Sequence, residues 1–204
     1  LVTGARTDDT SLLLSGTTES GSTVKVYNGI ELLGSATVDG TSWTYNATAV
    51  NGTTYQLNAK ATDTAGNTSA ATDNFIVTGD TTAPVVTFDV ATNQTGTSIL
   101  SGTTESGSVV KVYDGTTLLG SATVSGTSWT YTATVVNGTT YQFNVTATDT
   151  AGNTSVATDN FTVISDTAAP TVSLSTVTDN VGSVTGSLVT GARTDDTSLL
   201  LSGT

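Results

Sequence analysis

The sequence predicts an all-β protein, a tandem of β-sandwiches of about seven strands each. Three observations lead there: an internal repeat of fixed period, a strict two-residue alternation in its aromatic segments, and Asn-Gly or Asp-Gly pairs where those segments end. No segment carries the 3.6-residue apolar period of a helix.

The repeat comes first because it sets the frame for everything else. Residues 15–84, SGTTESGSTVKVYNG through to DTTAP, align without a gap on residues 101–170, and 55 of the 70 positions are identical at an offset of 86. A longer period is also present, since LVTGARTDDTSLLLSGT occurs at 1–17 and again at 188–204, an offset of 187. A short unit of 86 residues thus alternates with a long one of 101, the fifteen additional residues falling between Pro170 and Ser202. The expected domains are 1–80, a repeat lacking its first strand, 81–166, a complete repeat, and 167–204, the N-terminal part of a third. The two ends are complementary, so the tail of one molecule could complete the head of another by strand donation.

Within a unit the alternation places the strands. In residues 42–49, Trp43, Tyr45, Ala47 and Ala49 share one face, with Thr44, Asn46 and Thr48 on the other. In residues 55–62, Tyr55, Leu57, Ala59 and Ala61 are expected inward and Gln56, Asn58, Lys60 and Thr62 outward. The second unit reads as strands near 85–90, 97–104, 108–113, 117–124, 128–136, 140–148 and 156–164. Turns are expected at Asn28-Gly29, Asp39-Gly40 and Asn51-Gly52. Trp43 and Trp129, with Tyr55 and Tyr141, are expected to anchor the cores because they sit mid-strand on the apolar face.

Composition then removes most chemistry. The 204 residues include no Cys, Met or His, and 17 acidic side chains against five Lys and Arg give a net charge of −12. Disulfides, zinc and haem are closed, and a cation that prefers oxygen ligands is left, calcium first. So acidic a surface repels phosphate and anionic lipid, so no nucleic acid partner is expected. No apolar run approaches the ~20 residues that span a bilayer, so no membrane insertion is expected.

Residues 176–204, TVTDNVGSVTGSLVTGARTDDTSLLLSGT, end in the segment that recurs at 1–17 and there continues into TESGSTVKVYNG. With LLGSATV, SWTY, NGTTYQL and ATDTAGNTS following in fixed order, the chain resembles the bacterial immunoglobulin-like tandem repeats of giant RTX and biofilm-associated surface adhesins. The resemblance implies immunoglobulin-like sandwiches strung into an elongated rod, extracellular at the bacterial cell surface. Such a spacer holds a binding domain away from the cell, and calcium at its domain junctions stiffens it. Its partners would be the neighbouring repeats of the same chain.

Alternate loops of an antiparallel sandwich lie at opposite ends, which locates where calcium would sit. Asp80 of the linker, Glu105, Asp149 and Asn153 are expected at one end of the second unit, faced by Asp8, Asp9 and the Asn28 and Asn51 turns of the first. At ~5 Å and an effective dielectric near 20 each like-charged pair there would cost about 3 kcal/mol, which a Ca²⁺ ion would relieve. Glu19, Asp63 and Asn67 are the matching set in the first unit, and Asp166 is the linker acid leading to the third. A second site is expected where Asp179 and Asn180 open the long excursion and Asp195 and Asp196 close it. The plainer reading makes all of these turn and capping residues.

Other functions fare less well. The acids lie in loops at domain ends and recur from unit to unit, which speaks for structure and against an enzyme. Lys25 and Lys111 alternate with inward valines, so they should point outward, away from any isopeptide partner. The alternatives to a spacer are a self-assembling extracellular filament with homotypic strand exchange, and a carbohydrate- or ice-binding module.

Overall fold

The computed structural model describes the chain apart from Thr95, Val184 and the side chain of Asn93. It divides into two compact units, Leu1–Asp166 and Thr167–Thr204. The first holds two sandwiches, and every regular element described is a strand.

In the first sandwich the strands are β1 (Ala5–Thr7), β2 (Ser11–Thr17), β3 (Thr23–Asn28), β4 (Glu31–Ser35), β5 (Thr37–Asp39), β6 (Ser42–Thr48), β7 (Thr54–Thr62) and β8 (Phe75–Gly79). They form a five-stranded sheet in the order β1-β8-β7-β3-β4 and a three-stranded sheet in the order β2-β6-β5. The β1–β8 pair is parallel, Arg6 lying opposite Thr78.

The second sandwich has β9 (Val90–Gln94), β10 (Thr97–Thr103), β11 (Val109–Asp114), β12 (Thr117–Ser121), β13 (Thr123–Ser125), β14 (Ser128–Thr134), β15 (Thr140–Thr148) and β16 (Phe161–Ile164). Its sheets run β13-β14-β10-β9 and β12-β11-β15-β16. The second unit of the chain is one three-stranded sheet, β18-β17-β19, of β17 (Leu174–Asp179), β18 (Gly186–Ser187) and β19 (Leu200–Gly203).

Period two does what it predicts on the core strands. Ala47, Ala49, Tyr55, Leu57 and Ala59 are buried, while Thr44, Asn46, Thr48, Gln56 and Lys60 face water. The side chains of Leu100, Trp129, Phe143 and Val145 in the second sandwich are fully buried. Burying one such aliphatic side chain is worth about 1.5–3 kcal/mol. Lys25 and Lys111 point outward, as the buried valines on either side require. Gly29 and Gly40 adopt positive φ, as the β3–β4 and β5–β6 hairpin turns demand of their second residue, and so does Gly52 in the turn that carries the chain from β6 to β7 in the other sheet.

Four expectations are corrected. The strand expected at 117–124 is two strands in opposite sheets, because the chain crosses at Ala122, whose N–H donates to the Val110 carbonyl. The strand expected at 85–90 forms a ladder only from Val90, although the Thr87 and Asp89 N–H groups already bond the carbonyls of Thr103 and Ser101. The strand expected at 156–164 begins at Phe161, because the hydroxyls of Ser155 and Thr158 accept the N–H groups of Ala147 and Val145 and take the place of ladder carbonyls. Asn58, expected outward, is buried: its amide donates to the Gly29 carbonyl and to Asn74 Oδ1, which ties β7 to the Asn28-Gly29 turn.

The two tryptophans sit in different surroundings. Trp129 is 0 % exposed, its Nε1 donating to the Thr87 carbonyl at 2.9 Å and its ring meeting Phe88 edge-on at 5.5 Å. Trp43 is only half-buried. Gly102 has the Thr87 carbonyl pressed against it, so an added Cβ would strike backbone, whereas at Gly16 it would meet only the Trp43 indole, from 2.8 Å. Gly102→Ala should therefore destabilise the second sandwich by about 1–3 kcal/mol, and by more than Gly16→Ala costs the first. Urea unfolding followed by the fluorescence of the one tryptophan in each sandwich measures both.

Candidate functional site at the domain junction

Where β8 ends, the linker stays fastened to the first sandwich. The Asp80 N–H donates to the Thr7 carbonyl at 2.8 Å, carrying the chain along the end of β1. The Asp80 carboxylate accepts from Arg6 Nη1 at 2.8 Å and from the Thr82 N–H at 3.3 Å. Asn51, in the turn before β7, accepts the Thr81 N–H through Oδ1 at 2.9 Å and donates through Nδ2 to the Thr82 hydroxyl at 2.8 Å. The Arg6 side chain is half-exposed, so its ion pair is worth at most about 1 kcal/mol.

The same linker is gripped from the other side. Asn153 Nδ2 donates to the Asp80 carbonyl at 2.8 Å and to Asp149 Oδ2 at 2.9 Å. The other oxygen, Asp149 Oδ1, accepts the N–H groups of Ala151, Gly152 and Asn153 at 2.8, 2.8 and 2.9 Å. One carboxylate thus closes the 149–153 loop while one amide ties that loop to the linker. Gly152 sits at φ 109°, and a Cβ there would lie 3.2 Å from Asp8 Oδ2, so the first sandwich reaches this loop directly. The Glu105 loop flanks it, with Gly107 against the Thr150 methyl.

Equivalent residues of the two sandwiches differ in exposure. Thr104 is 6 % exposed while its counterpart Thr18 is only half-buried, and Ala151 and Asn153 are half-buried where Ala65 and Asn67 are exposed. The hydroxyls of Thr104 and Ser108, on either side of Glu105, are buried without a hydrogen-bond partner. Such orphaned groups are uncommon and costly.

Two carboxylates have lowered pKa values. For Asp149, burial pushes the pKa up, but hydrogen bonds from the Asn153 side chain and from the N–H groups of Asn153, Gly152 and Ala151 together outweigh it. Asp63 is lowered chiefly by the Asn67 side chain, which donates to its Oδ2 at 2.8 Å, and by the backbone of Asn67, Ala65 and Gly66.

The remaining sites expected from sequence are placed as follows. Glu105 and Glu19 are exposed, their carbonyls accepting the N–H groups of Ser108 and Ser22. Asp9 is exposed, its N–H on the Thr7 hydroxyl, and the Asn28 turn bonds within its own sheet through the Gln56 N–H. Asp166 is exposed at the end of its unit. In the tail, Asp196 Oδ2 accepts the Asn180 N–H at 2.8 Å, Asp195 lies against Gly182, and Asp179 is buried. Asp179 and Asp195 line a cavity of about 390 Å³ together with Arg193. Among the described residues no three acidic side chains stand close enough to share one ion. At the junction the Asp80 carboxylate turns to Arg6, and its carbonyl is what meets Asn153. Sequence reasoning missed Arg6, whose signal was its rarity as one of two arginines, and it missed Thr104 and Ser108, which carried none.

Comparison with known proteins follows this architecture. Residues 83–164 match the family model described as bacterial Ig domain, and residues 3–81 the one described as bacterial Ig-like domain. The chain is 39 % identical over 179 residues to chitinase A1 of Niallia circulans, covering 81 % of this chain and 24 % of that protein. It therefore spans about a quarter of the length of that relative. Among solved structures it is similar to the fibronectin(III)-like modules of Clostridium thermocellum CbhA, with a TM-score of 0.54, 21 % identity, and coverage of 81 % of this chain and 90 % of that one. That likeness concerns the fold alone.

Two outcomes are expected. Asn153→Ala removes both amide bonds and should cost about 1–3 kcal/mol in urea unfolding followed at Trp129. Because Asp149 and Asp63 have folded pKa values below the ordinary 3.8, their contribution is complete above 3.8 and is lost as the pH falls through the folded values. Acid unfolding should show that loss, and Asp149→Asn should remove its share from the second sandwich.

Proposed function

This chain belongs to the bacterial immunoglobulin-like domains, and from that premise we propose that it is a spacer of a large secreted bacterial adhesin. It holds a binding domain away from the cell surface for attachment or biofilm formation, and Ca²⁺ stiffens its domain junctions. The domains themselves are non-catalytic modules of the kind found in extracellular proteins. No helix of the described residues is long and apolar enough to cross a membrane.

The observation that carries the reading is the linker itself, fastened at Thr7, Arg6 and Asn51 on one side and at Asn153 on the other. A flexible tether would need none of these bonds; a spacer that transmits direction needs all of them. Near-identity of the two repeats supports the same conclusion, because duplicated units add length and no new recognition surface.

For calcium, the donor set is the support. Asp8, Asp149, the Asp80 carbonyl and Glu105 offer only hard oxygens at one end of the second sandwich. Glu105 is exposed on its loop. Bound there, the ion would supply charge neutralisation and a fixed joint. A second reading, favoured by the chitinase similarity, places the same spacer role within a secreted multidomain hydrolase.

For sites of ~10⁻⁴ M affinity, ~10 mM Ca²⁺ should add about 2.7 kcal/mol per site. Thermal unfolding at zero and ~10 mM Ca²⁺ should show a rise in melting temperature that Glu105→Gln with Asp149→Asn abolishes. An unchanged melting temperature in the wild-type chain returns these acids to the role of loop charges.

A further inference from the structure

The two sandwiches differ at one edge of the larger core sheet. In the first, β8 is covered by the parallel strand β1; in the second, β16 ends the sheet β12-β11-β15-β16, and among the described residues no strand lies beyond it. The lengths of the two kinds of repeat account for this. In the long repeat residues 180–199 separate β17 from β19, and Ala192, Arg193 and Thr194 within them repeat the sequence of β1. In the second repeat only residues 95 and 96 separate β9 from β10, so it has no residues from which to build a β1. That repeat is complete and has chain on both sides, so the edge belongs to the short unit itself.

Alternation sets which main-chain groups the edge offers. The Ser165 N–H donates to the Thr139 carbonyl at 2.9 Å and its carbonyl accepts the Gly138 N–H at 2.7 Å, so the odd-numbered positions of this strand bond inward. Thr162 and Ile164 therefore turn their N–H and carbonyl groups away from β15. Ile76, the equivalent of Thr162, uses the same groups to hold the covering chain: its carbonyl accepts the Gly4 N–H at 2.7 Å and its N–H donates to the Thr3 hydroxyl at 3.0 Å.

Side chains say what kind of strand fits there. β16 is uncharged, with Ile164 67 % and Phe161 38 % exposed, and an open edge of that composition is a template for pairing. Asp159 and Asp166 bracket it in the sequence, both exposed, and a net charge of −12 repels a second copy. Asp166 stands where Asp80 stands in the first repeat. Asp80 accepts Arg6 on one oxygen and the Thr82 N–H on the other, so a linker carboxylate that holds its own turn still takes an arginine.

We propose that the outer edge of β16 docks an extended, arginine-bearing peptide segment of a partner protein, added parallel to β16 as β1 is to β8. Its main chain bonds Thr162 and Ile164, and its arginine meets Asp166. In the array this edge recurs once in every 187 residues, at each short repeat, which gives a partner with several such segments a multivalent hold. The docking edge needs no calcium and stands apart from the spacer reading.

The test titrates the ¹⁵N-labelled 204-residue chain, in EDTA, with a C-terminally amidated synthetic peptide of residues 1–7, LVTGART. Saturable shifts should centre on the Thr162 and Ile164 amides, and both amides should exchange more slowly with solvent. The peptide carrying Arg6→Glu should bind about fivefold more weakly, the scale of an exposed ion pair. Thr162→Pro, which removes an outward N–H and no inward bond, should abolish binding with Trp129 emission unchanged; Ile164→Pro is the second variant, and the peptide arms on the wild-type chain decide if neither folds. Shifts confined to Ile76 and Thr78, where the peptide would merely exchange with β1, would overturn the proposal. So would no shift at Thr162 and Ile164, equal binding of the Arg6→Glu peptide, or binding that survives in a folded proline variant.

Discussion

The amide of Asn153 is the constraint on which the junction depends. One NH₂ group donates to the linker carbonyl of Asp80 and to the carboxylate of Asp149, which itself collects three backbone N–H groups of its loop. Removing the amide would release the linker from the loop, which the Asp149 carboxylate still closes. The same pair in the first sandwich, Asp63 and Asn67, closes its own loop in the same way, but its amide is exposed and no linker carbonyl is described on it. The closed loop is thus a local motif common to both repeats, and in the second it also holds the Asp80 carbonyl.

Equivalent residues of the two repeats sit in different surroundings. Thr18 and Thr104 have the same neighbours in sequence, and only the second is covered. Trp43 and Trp129 stand on matching strands, and only the second finds a carbonyl and a phenyl ring over it. For Trp129 the difference comes from chain outside its own strand, the Thr87 carbonyl and the Phe88 ring. Modules of this kind take part of their packing from the segments around them.

Much of the fold was legible because one face of each strand is apolar and the other is Thr or Asn, a pattern that only a half-buried strand satisfies. Turn positions were legible for an equally local reason, the positive φ that Gly supplies after Asn or Asp. What the pattern missed was set by non-local bonds. The crossing at Ala122 and the burial of Asn58 depend on acceptors tens of residues away or in another strand, which no alternation encodes. At the junction, the expected end of the sandwich could be deduced from antiparallel topology, but the pairing of Asp80 with Arg6 could not, because Arg6 reaches it through the parallel β1–β8 pair. An antiparallel reading of the chain gives no reason to expect that pair.

The proposed spacer role turns on whether a divalent cation on oxygen ligands stiffens the joint between the two sandwiches. Residual dipolar couplings of backbone amides in the two sandwiches, measured on the whole chain without and with ~10 mM Ca²⁺, test it most directly. With a calcium-stiffened joint, both sandwiches in calcium fit one alignment tensor of equal magnitude, and in its absence the two tensors diverge. Couplings that are the same in both conditions would contradict it.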